Sequence, residues 1–260
     1  MNRIEKKFDE LKKKDEKALI PYIVLGEPSA KKTVEVIHTL EKNGADIIEL
    51  GIPYSDPLAD GPVIEAAGLR SIENGFKLKD AFEIVSEVRK TSQIPLIFMC
   101  YYNTIFGYGK EKFIQKCKEC GIDGLIIPDL PIEEREEIAP DLKETEISLI
   151  PLVAVTSKDR IPQITKYAQG FTYCVSSLGV TGERSNFYAG VNEFLTEAKN
   201  STPVPICVGF GISTKSDVER FAKYADGVIV GSAIVRKIHE TNCDYKQIGV
   251  FIEELKSGTK

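Results

Sequence analysis

Residues 45–62 read ADIIELGIPYSDPLADGP, and this stretch decides the fold. Its first part, 45–52, has the length and the Ile/Leu content of a buried β-strand. Alternation puts Ile47, Glu49 and Gly51 on one face and Ile48 and Leu50 on the other, so a carboxylate stands on a strand that is otherwise apolar. Pro53, Pro57 and Pro62 then stiffen a short loop that carries Asp56 and Asp60.

Seven more apolar segments of the same kind flank it, at 18–25, 94–101, 123–130, 148–155, 171–177, 204–211 and 226–233. Helical spacing fills the gaps, at 30–43, 79–91, 110–119, 133–145, 158–168, 189–200 and 215–223, and a last helix is expected near 244–256. Ser29, Ser157 and Ser213 stand where helix N-caps belong. Gly44-Ala-Asp, Gly121-Ile-Asp and Tyr224-Ala-Asp each place an aspartate just before a strand, an internal echo. Near-continuous apolar strands alternating with helices indicate a parallel sheet covered on both faces. Eight such units in 260 residues favour a single α/β domain, residues 1–260. The expected fold is a (β/α)8 TIM barrel with an extra N-terminal helix and a short helix, 233–239, after the eighth strand. An open dinucleotide-binding sheet would want G-x-G-x-x-G after the first strand, and Leu25-Gly26-Glu27-Pro28-Ser29 does not supply it.

Composition narrows the function. The net charge of −5 and the acid-interleaved lysines of the N-terminus argue against nucleic acid. No run of about 18 apolar residues exists to span a membrane. Six scattered cysteines, four in or beside apolar runs, read as core thiols of a reduced, cytoplasmic protein. Cys117 and Cys120 have redox spacing but lie in a helical pattern with no second pair. Two histidines, His38 and His239, in polar segments support neither a metal site nor a histidine triad.

In such a barrel the chemistry sits at the C-terminal ends of the strands. A Glu49 carboxyl facing the interior should have a raised pKa, suited to acid–base work. Asp60, between Ala59 and Gly61, is the second candidate; Ser55-Asp56-Pro57 is also an ordinary turn. Gly209-Phe210-Gly211 and Gly231-Ser232-Ala233 leave the seventh and eighth segments for helices, the places where barrels hold phosphate. Residues 178–185, LGVTGERS, are long enough to form a lid or simply a loop. The residues alone lead to a barrel enzyme for a small phosphate ester and do not name it.

Residues 49–62, ELGIPYSDPLADGP, resemble the signature of the tryptophan synthase alpha subunit family. Gly26-Glu27-Pro28-Ser29, Tyr101-Tyr102-Asn103, Pro128-Asp129-Leu130-Pro131, Gly179-Val180-Thr181-Gly182, Gly209-Phe210-Gly211-Ile212-Ser213 and Gly231-Ser232-Ala233-Ile234-Val235 extend the resemblance along nearly the whole chain. It implies a lyase of tryptophan biosynthesis that cleaves indole-3-glycerol phosphate to indole and glyceraldehyde 3-phosphate. Glu49 would be the acid–base residue and Asp60 the carboxylate that holds the indole N–H. Gly182, Phe210, Gly211, Gly231 and Ser232 would hold the phosphate; Tyr22, Tyr101, Asp129 and Tyr173 would shape the indole side, with Thr181 on the lid. The resemblance also implies a beta subunit in an α2β2 heterotetramer, docked near Pro53, Asp56, Asn103 and Phe106. Pyridoxal phosphate would belong to that partner, so neither cofactor nor metal is expected in this chain. Glu27, Gly68, Ser71 and Thr104 depart from the usual pattern. A free-standing lyase, a sugar-phosphate isomerase on the same barrel and a subunit that only activates its partner are the alternatives.

Overall fold

The structure, a computed structural model, describes residues 1–176 and 190–260. Among these, nine strands form one parallel sheet: β1 (Ala18–Val24), β2 (Ile48–Gly51), β3 (Leu96–Met99), β4 (Gly124–Ile126), β5 (Ser148–Leu149), β6 (Leu152–Ala154), β7 (Thr172–Val175), β8 (Ile206–Gly209) and β9 (Gly227–Val230). Their spatial order is β5-β4-β3-β2-β1-β9-β8-β7-β6. The two ends of that order, β5 and β6, are successive pieces of one run of chain. Ile150 N–H donates to Leu125 (2.9 Å) and Tyr173 N–H donates to the Pro151 carbonyl (2.9 Å), so the run joins β4 to β7 and the sheet closes. The fifth expected strand is therefore split at Ile150-Pro151, where proline has no N–H for the ladder.

The helices follow in sequence: α1 (Arg3–Lys13), α2 (Ala30–Lys42), α3 (Pro62–Glu73), α4 (Leu78–Arg89), α5 (Tyr102–Tyr108), α6 (Lys110–Cys120), α7 (Ala139–Leu142), α8 (Ile161–Thr165), α9 (Val191–Ser201), α10 (Lys215–Ala222), α11 (Ser232–Glu240) and α12 (Tyr245–Ser257). Two expected helices are much shorter. The segment 133–145 is a 3-10 turn, Ile132–Glu137, followed by α7, and 158–168 is a 3-10 turn, Lys158–Arg160, followed by α8. Pro140 and Pro162 sit in the first turns of α7 and α8, so neither can continue the turn before it as a regular helix. Ser29 caps α2 as expected, by accepting from Lys32 N–H. At α10 the cap is Thr214, in a reciprocal box with Asp217, while Ser213 bonds the same Asp217 carboxylate. Ser157 instead accepts from Ala154 N–H.

The barrel interior is an apolar column that includes Ile20, Ile47, Ile97, Ile126 and Ile229. Helix α1 plugs its lower end with Ile4, Phe8 and Leu11, all buried, and Phe8 meets Phe171 edge-on at 6.0 Å. Each of those side chains contributes about 1.5–3 kcal/mol of burial. Gly124 makes room for the plug, because a Cβ there would lie 3.1 Å from the Ile4 Cδ1 atom. The aspartate echo has a structural meaning at this end. Asp46, Asp123 and Asp226 accept from the N–H groups of Leu19 (2.8 Å), Leu96 (2.8 Å) and Ile206 (3.1 Å), each on the neighbouring strand. Lys256 pairs with Asp46, Arg3 and Arg89 with Asp123, and Lys199 with Asp226. These clamps fix strand register at the end opposite the site.

Candidate active site

Parallel pairing sets Tyr22 of β1 beside Glu49 of β2, and Glu49 beside Ile97 of β3. Glu49 is 3% exposed, and its Oε2 has no protein partner. Burial, with the nearby Asp60 charge, pushes its carboxyl up to about 8. Asp60 follows in the loop between β2 and α3, where Pro62 is the first residue of the helix and fixes its entry. Burial raises the Asp60 carboxyl to about 6; a hydrogen bond from the Tyr101 hydroxyl opposes the rise and the Glu65 charge adds to it. The Asp60 Oδ1 has no protein partner either. The same Tyr101 hydroxyl accepts from Ala59 N–H at 2.9 Å, so it anchors the loop while touching the carboxylate.

Two tyrosines roof the interior, and two glycines admit them. A Cβ on Gly51 would lie 2.0 Å from the Tyr22 hydroxyl, and one on Gly209 would lie 2.4 Å from that of Tyr173. Burial holds both hydroxyls well above their ordinary pKa, so both remain neutral. The resulting cavity, open at its mouth, is lined by Tyr22, Glu49, Asp60, Tyr173, Phe210 and Ser232 among others. It continues into a second space bounded by Met99, Ile126, Pro128 and Leu152, which shares Glu49 and Tyr173.

One wall suits an anion. Phe210 and Gly211 both have positive φ, +80° and +79°, a strained choice for phenylalanine that turns the chain sharply after β8. The Ser176 hydroxyl lies 2.7 Å and 2.9 Å from the Gly209 and Phe210 carbonyls and pins that turn. Opposite, Gly231 precedes α11 and Ser232 opens it, so first-turn N–H groups with no intrahelical acceptor border the cavity. The positive end of the helix dipole adds to them.

The structure thus brings Glu49, Asp60, Tyr22, Tyr101, Tyr173, Phe210, Gly211, Gly231 and Ser232 to one mouth. It does not bring Asp129 there. That residue is exposed, and its carboxylate accepts from Tyr102 N–H at 2.8 Å, a bond to the first turn of α5. Thr181 and Gly182, with the rest of the expected lid, lie outside the described residues. Asn103 and Phe106 stand on α5, a helix outside the expected set, with Phe106 67% exposed. Asn103 donates to the Tyr54 hydroxyl (3.0 Å) and Tyr54 stacks on Tyr101 (5.1 Å), which ties α5 to the loop holding Pro53 and exposed Asp56. Sequence reasoning missed Ile64, Met99 and Ile229 as cavity walls. Alternation shows which residues share a face within one strand, but only register shows which strands bring their faces to Glu49.

Two departures from the usual pattern, Glu27 and Ser71, meet at the end of β1. The buried Glu27 carboxylate accepts from Arg70 Nε at 2.9 Å and faces His239 Nδ1 at 3.5 Å. The Ser71 hydroxyl donates to the Leu25 carbonyl at 2.6 Å. Both tie α3, which follows Asp60, to β1. Gly68 sits on the same helix with open space where a side chain would project.

Comparison with known proteins agrees with this geometry. The family model described as "Tryptophan synthase alpha chain" matches residues 8–259. The tryptophan synthase alpha chain of Thermoanaerobacter sp. (strain X514) is 50% identical over 259 residues, 98% of this chain and 99% of the relative. That of Clostridium beijerinckii is 45% identical over the full length of both. Among solved structures, the tryptophan synthase subunit alpha of Legionella pneumophila superposes with a TM-score of 0.91 at 34% identity, covering 100% of this chain and 98% of that one. A chain of Mycobacterium tuberculosis tryptophan synthase gives 0.92 at 32% identity, covering 99% and 98%. A barrel with two unpartnered carboxyl oxygens in its mouth, matched to one family from end to end, belongs to the tryptophan synthase alpha chain family.

Proposed function

We propose that Glu49 and Asp60 are the acid–base pair with which this tryptophan synthase alpha chain cleaves indole-3-glycerol phosphate to indole and glyceraldehyde 3-phosphate. The observation that carries this reading is one cavity lined by two buried carboxyls, whose pKa values are pushed up to different heights. With values of about 8 and about 6, Glu49 is mostly protonated at pH 7 and Asp60 mostly ionised. An acid and a base therefore share one cavity, each with an oxygen free of protein partners.

The chemistry follows from that state. Glu49 donates its proton to indole C3, which makes the ring an electron sink. Asp60, ionised and steadied by Tyr101, accepts from the indole N–H and stabilises the positive charge that appears there. The Glu49 carboxylate left behind takes the proton of the glycerol hydroxyl on the carbon attached to the ring. That oxygen becomes the aldehyde, the C–C bond breaks, and its electron pair restores the neutral indole. Burial that disfavours the ionised form keeps Glu49 protonated and available as the acid at neutral pH, and makes the carboxylate it leaves behind a stronger base for the hydroxyl proton. Phe210, Gly211, Gly231 and Ser232 would hold the phosphate through backbone N–H groups and one hydroxyl, with Gly182 joining them. Tyr22 and Tyr173 would flank the indole, and Thr181 would close over it.

The exposed apolar face at the mouth, where Leu58 (75%) and Phe106 (67%) stand near Pro53, Asp56 and Asn103, would seat the beta subunit in an α2β2 assembly. Pyridoxal phosphate would be that partner's cofactor. The cytoplasm is the compartment this reading requires, and six free cysteines are compatible with it. The test is indole release from indole-3-glycerol phosphate by the wild type and Glu49→Gln, with and without a beta subunit. Turnover should fall by at least a thousandfold in the variant while inorganic phosphate still binds. Unchanged turnover would refute the acid–base assignment, and high activity without a partner would point to a free-standing lyase.

A further inference from the structure

We propose a second small-molecule site on the outer side of the barrel beside β5 and β6, for a neutral, planar, bicyclic aromatic ligand of which indole is the representative. The choice of indole rests on the reaction proposed above; the site itself rests on the cavity.

That cavity holds about 190 Å³, below the span of pockets that take drug-sized ligands, so only a small occupant fits. Its origin is visible in the covering elements. Where α2, α4, α6, α9 and α12 cover their strands with helices of 11–13 residues, this sector has only α7, four residues, α8, five residues, and two 3-10 turns. Its walls are Ile127, Leu130, Leu149, Leu152 and Ile164, of which Ile127 and Leu149 are themselves buried.

The rim selects flat and uncharged ligands. Tyr167 is 53% exposed, with the Arg135 guanidinium 5.2 Å and the Lys166 ammonium 5.1 Å from its ring centroid. Planar guanidinium and phenol groups offer stacking surfaces to an aromatic ring. The cations do not favour an anion, because Arg135 faces Glu136 at 3.2 Å and Arg160 pairs with Glu133. The turn Ile132–Glu137 itself carries four glutamates against one arginine. Pro128 and Leu152 border both this cavity and the space containing Glu49 and Tyr173. Only their thickness separates the two sites, so an occupant here bears on the wall of the reaction cavity.

The test is titration of indole into the wild-type chain with isoleucine δ1 methyl groups labelled for NMR. Ile132 and Ile164 report the outer cavity, and Ile64 and Ile229 the reaction cavity. Saturable shifts are expected at Ile132 and Ile164. Arg135→Ala and Tyr167→Ala, both at the rim, should weaken that response at least fivefold and leave the Ile64 and Ile229 response unchanged. Ile164→Trp, which fills the cavity, should abolish the shift at Ile132. A response at Ile132 and Ile164 that is absent, or grows linearly without saturating, or ignores all three variants, would overturn the proposal. Silence at Ile64 and Ile229 with saturation at Ile132 and Ile164 would count against the proposed reaction and leave the second site standing.

Discussion

Replacing Glu49 by Gln should change how stability depends on pH. The folded chain holds a proton on Glu49 up to about pH 8, whereas the ordinary value is 4.5. A carboxyl raised on folding stabilises fully below the unfolded value and loses that contribution as pH climbs to the folded one. The gap from 4.5 to about 8, at about 1.36 kcal/mol per pH unit, sets an upper limit of about 5 kcal/mol, of which about 3 is lost by pH 7. Glutamine keeps the shape and cannot titrate. The variant should therefore match the wild type near pH 5 and exceed it by roughly 3–5 kcal/mol near pH 8.5. Asp60 acts with the same sign, between its ordinary 3.8 and about 6, but it is present in both proteins and largely cancels from the difference. Urea unfolding of both proteins at a series of pH values, with m-values compared to verify a common unfolded state, measures the divergence. Parallel curves across that range would refute the buried, neutral Glu49 and with it the acid role.

Three other substitutions probe the frame. Gly51→Ala would drive a methyl into Tyr22, with a contact of 2.0 Å to the hydroxyl; it should destabilise by about 1–3 kcal/mol, and Tyr22→Leu in the same chain should recover most of that in a double-mutant cycle read by urea midpoints. Gly68→Ala meets no atom within 4 Å in the middle of α3, so thermal unfolding should show a gain of about 0.5–1 kcal/mol with KM unchanged. Asp123→Ala removes the acceptor shared by Leu96 N–H, Arg3 and Arg89; denaturation should show a loss of about 3–5 kcal/mol, while kcat of the folded fraction stays at the wild-type value because the clamp lies at the far end of the barrel.

Strands were the most legible part of the chain, since a strand buried on both faces writes itself as a short run of Val, Ile and Leu. Glu49 stood out against such a run for the same reason. The aspartates before three strands were visible as a repeat, but their role as clamps needed the neighbouring strand's N–H, which sequence does not place. Helical spacing misled at 133–145 and 158–168, where Pro140 and Pro162 leave α7 and α8 at four and five residues. Asp129 shows a different limit. It sits just past a strand end, where site residues belong, yet its carboxylate meets the first turn of α5, a helix outside the expected set. Position along the chain gave the correct end of the barrel, and only the fold shows the direction in which the side chain is used.

The division of the closing strand into β5 and β6 has a mechanical consequence. Every other strand contributes at least three residues to an unbroken ladder, but this one offers two, then Ile150 and Pro151, and three more. Cooperative units open first where backbone bonds are fewest and covering helices shortest, and both conditions coincide here. The closing strand is therefore the seam of the barrel, and β1, β2 and β9 lie on the opposite side of the ring from it. Local opening at residues 148–154 would loosen the wall that Leu152, Val153 and Ala154 give the reaction cavity, and the pairing of β6 with Tyr173, before it reached the strands that carry Tyr22 and Glu49.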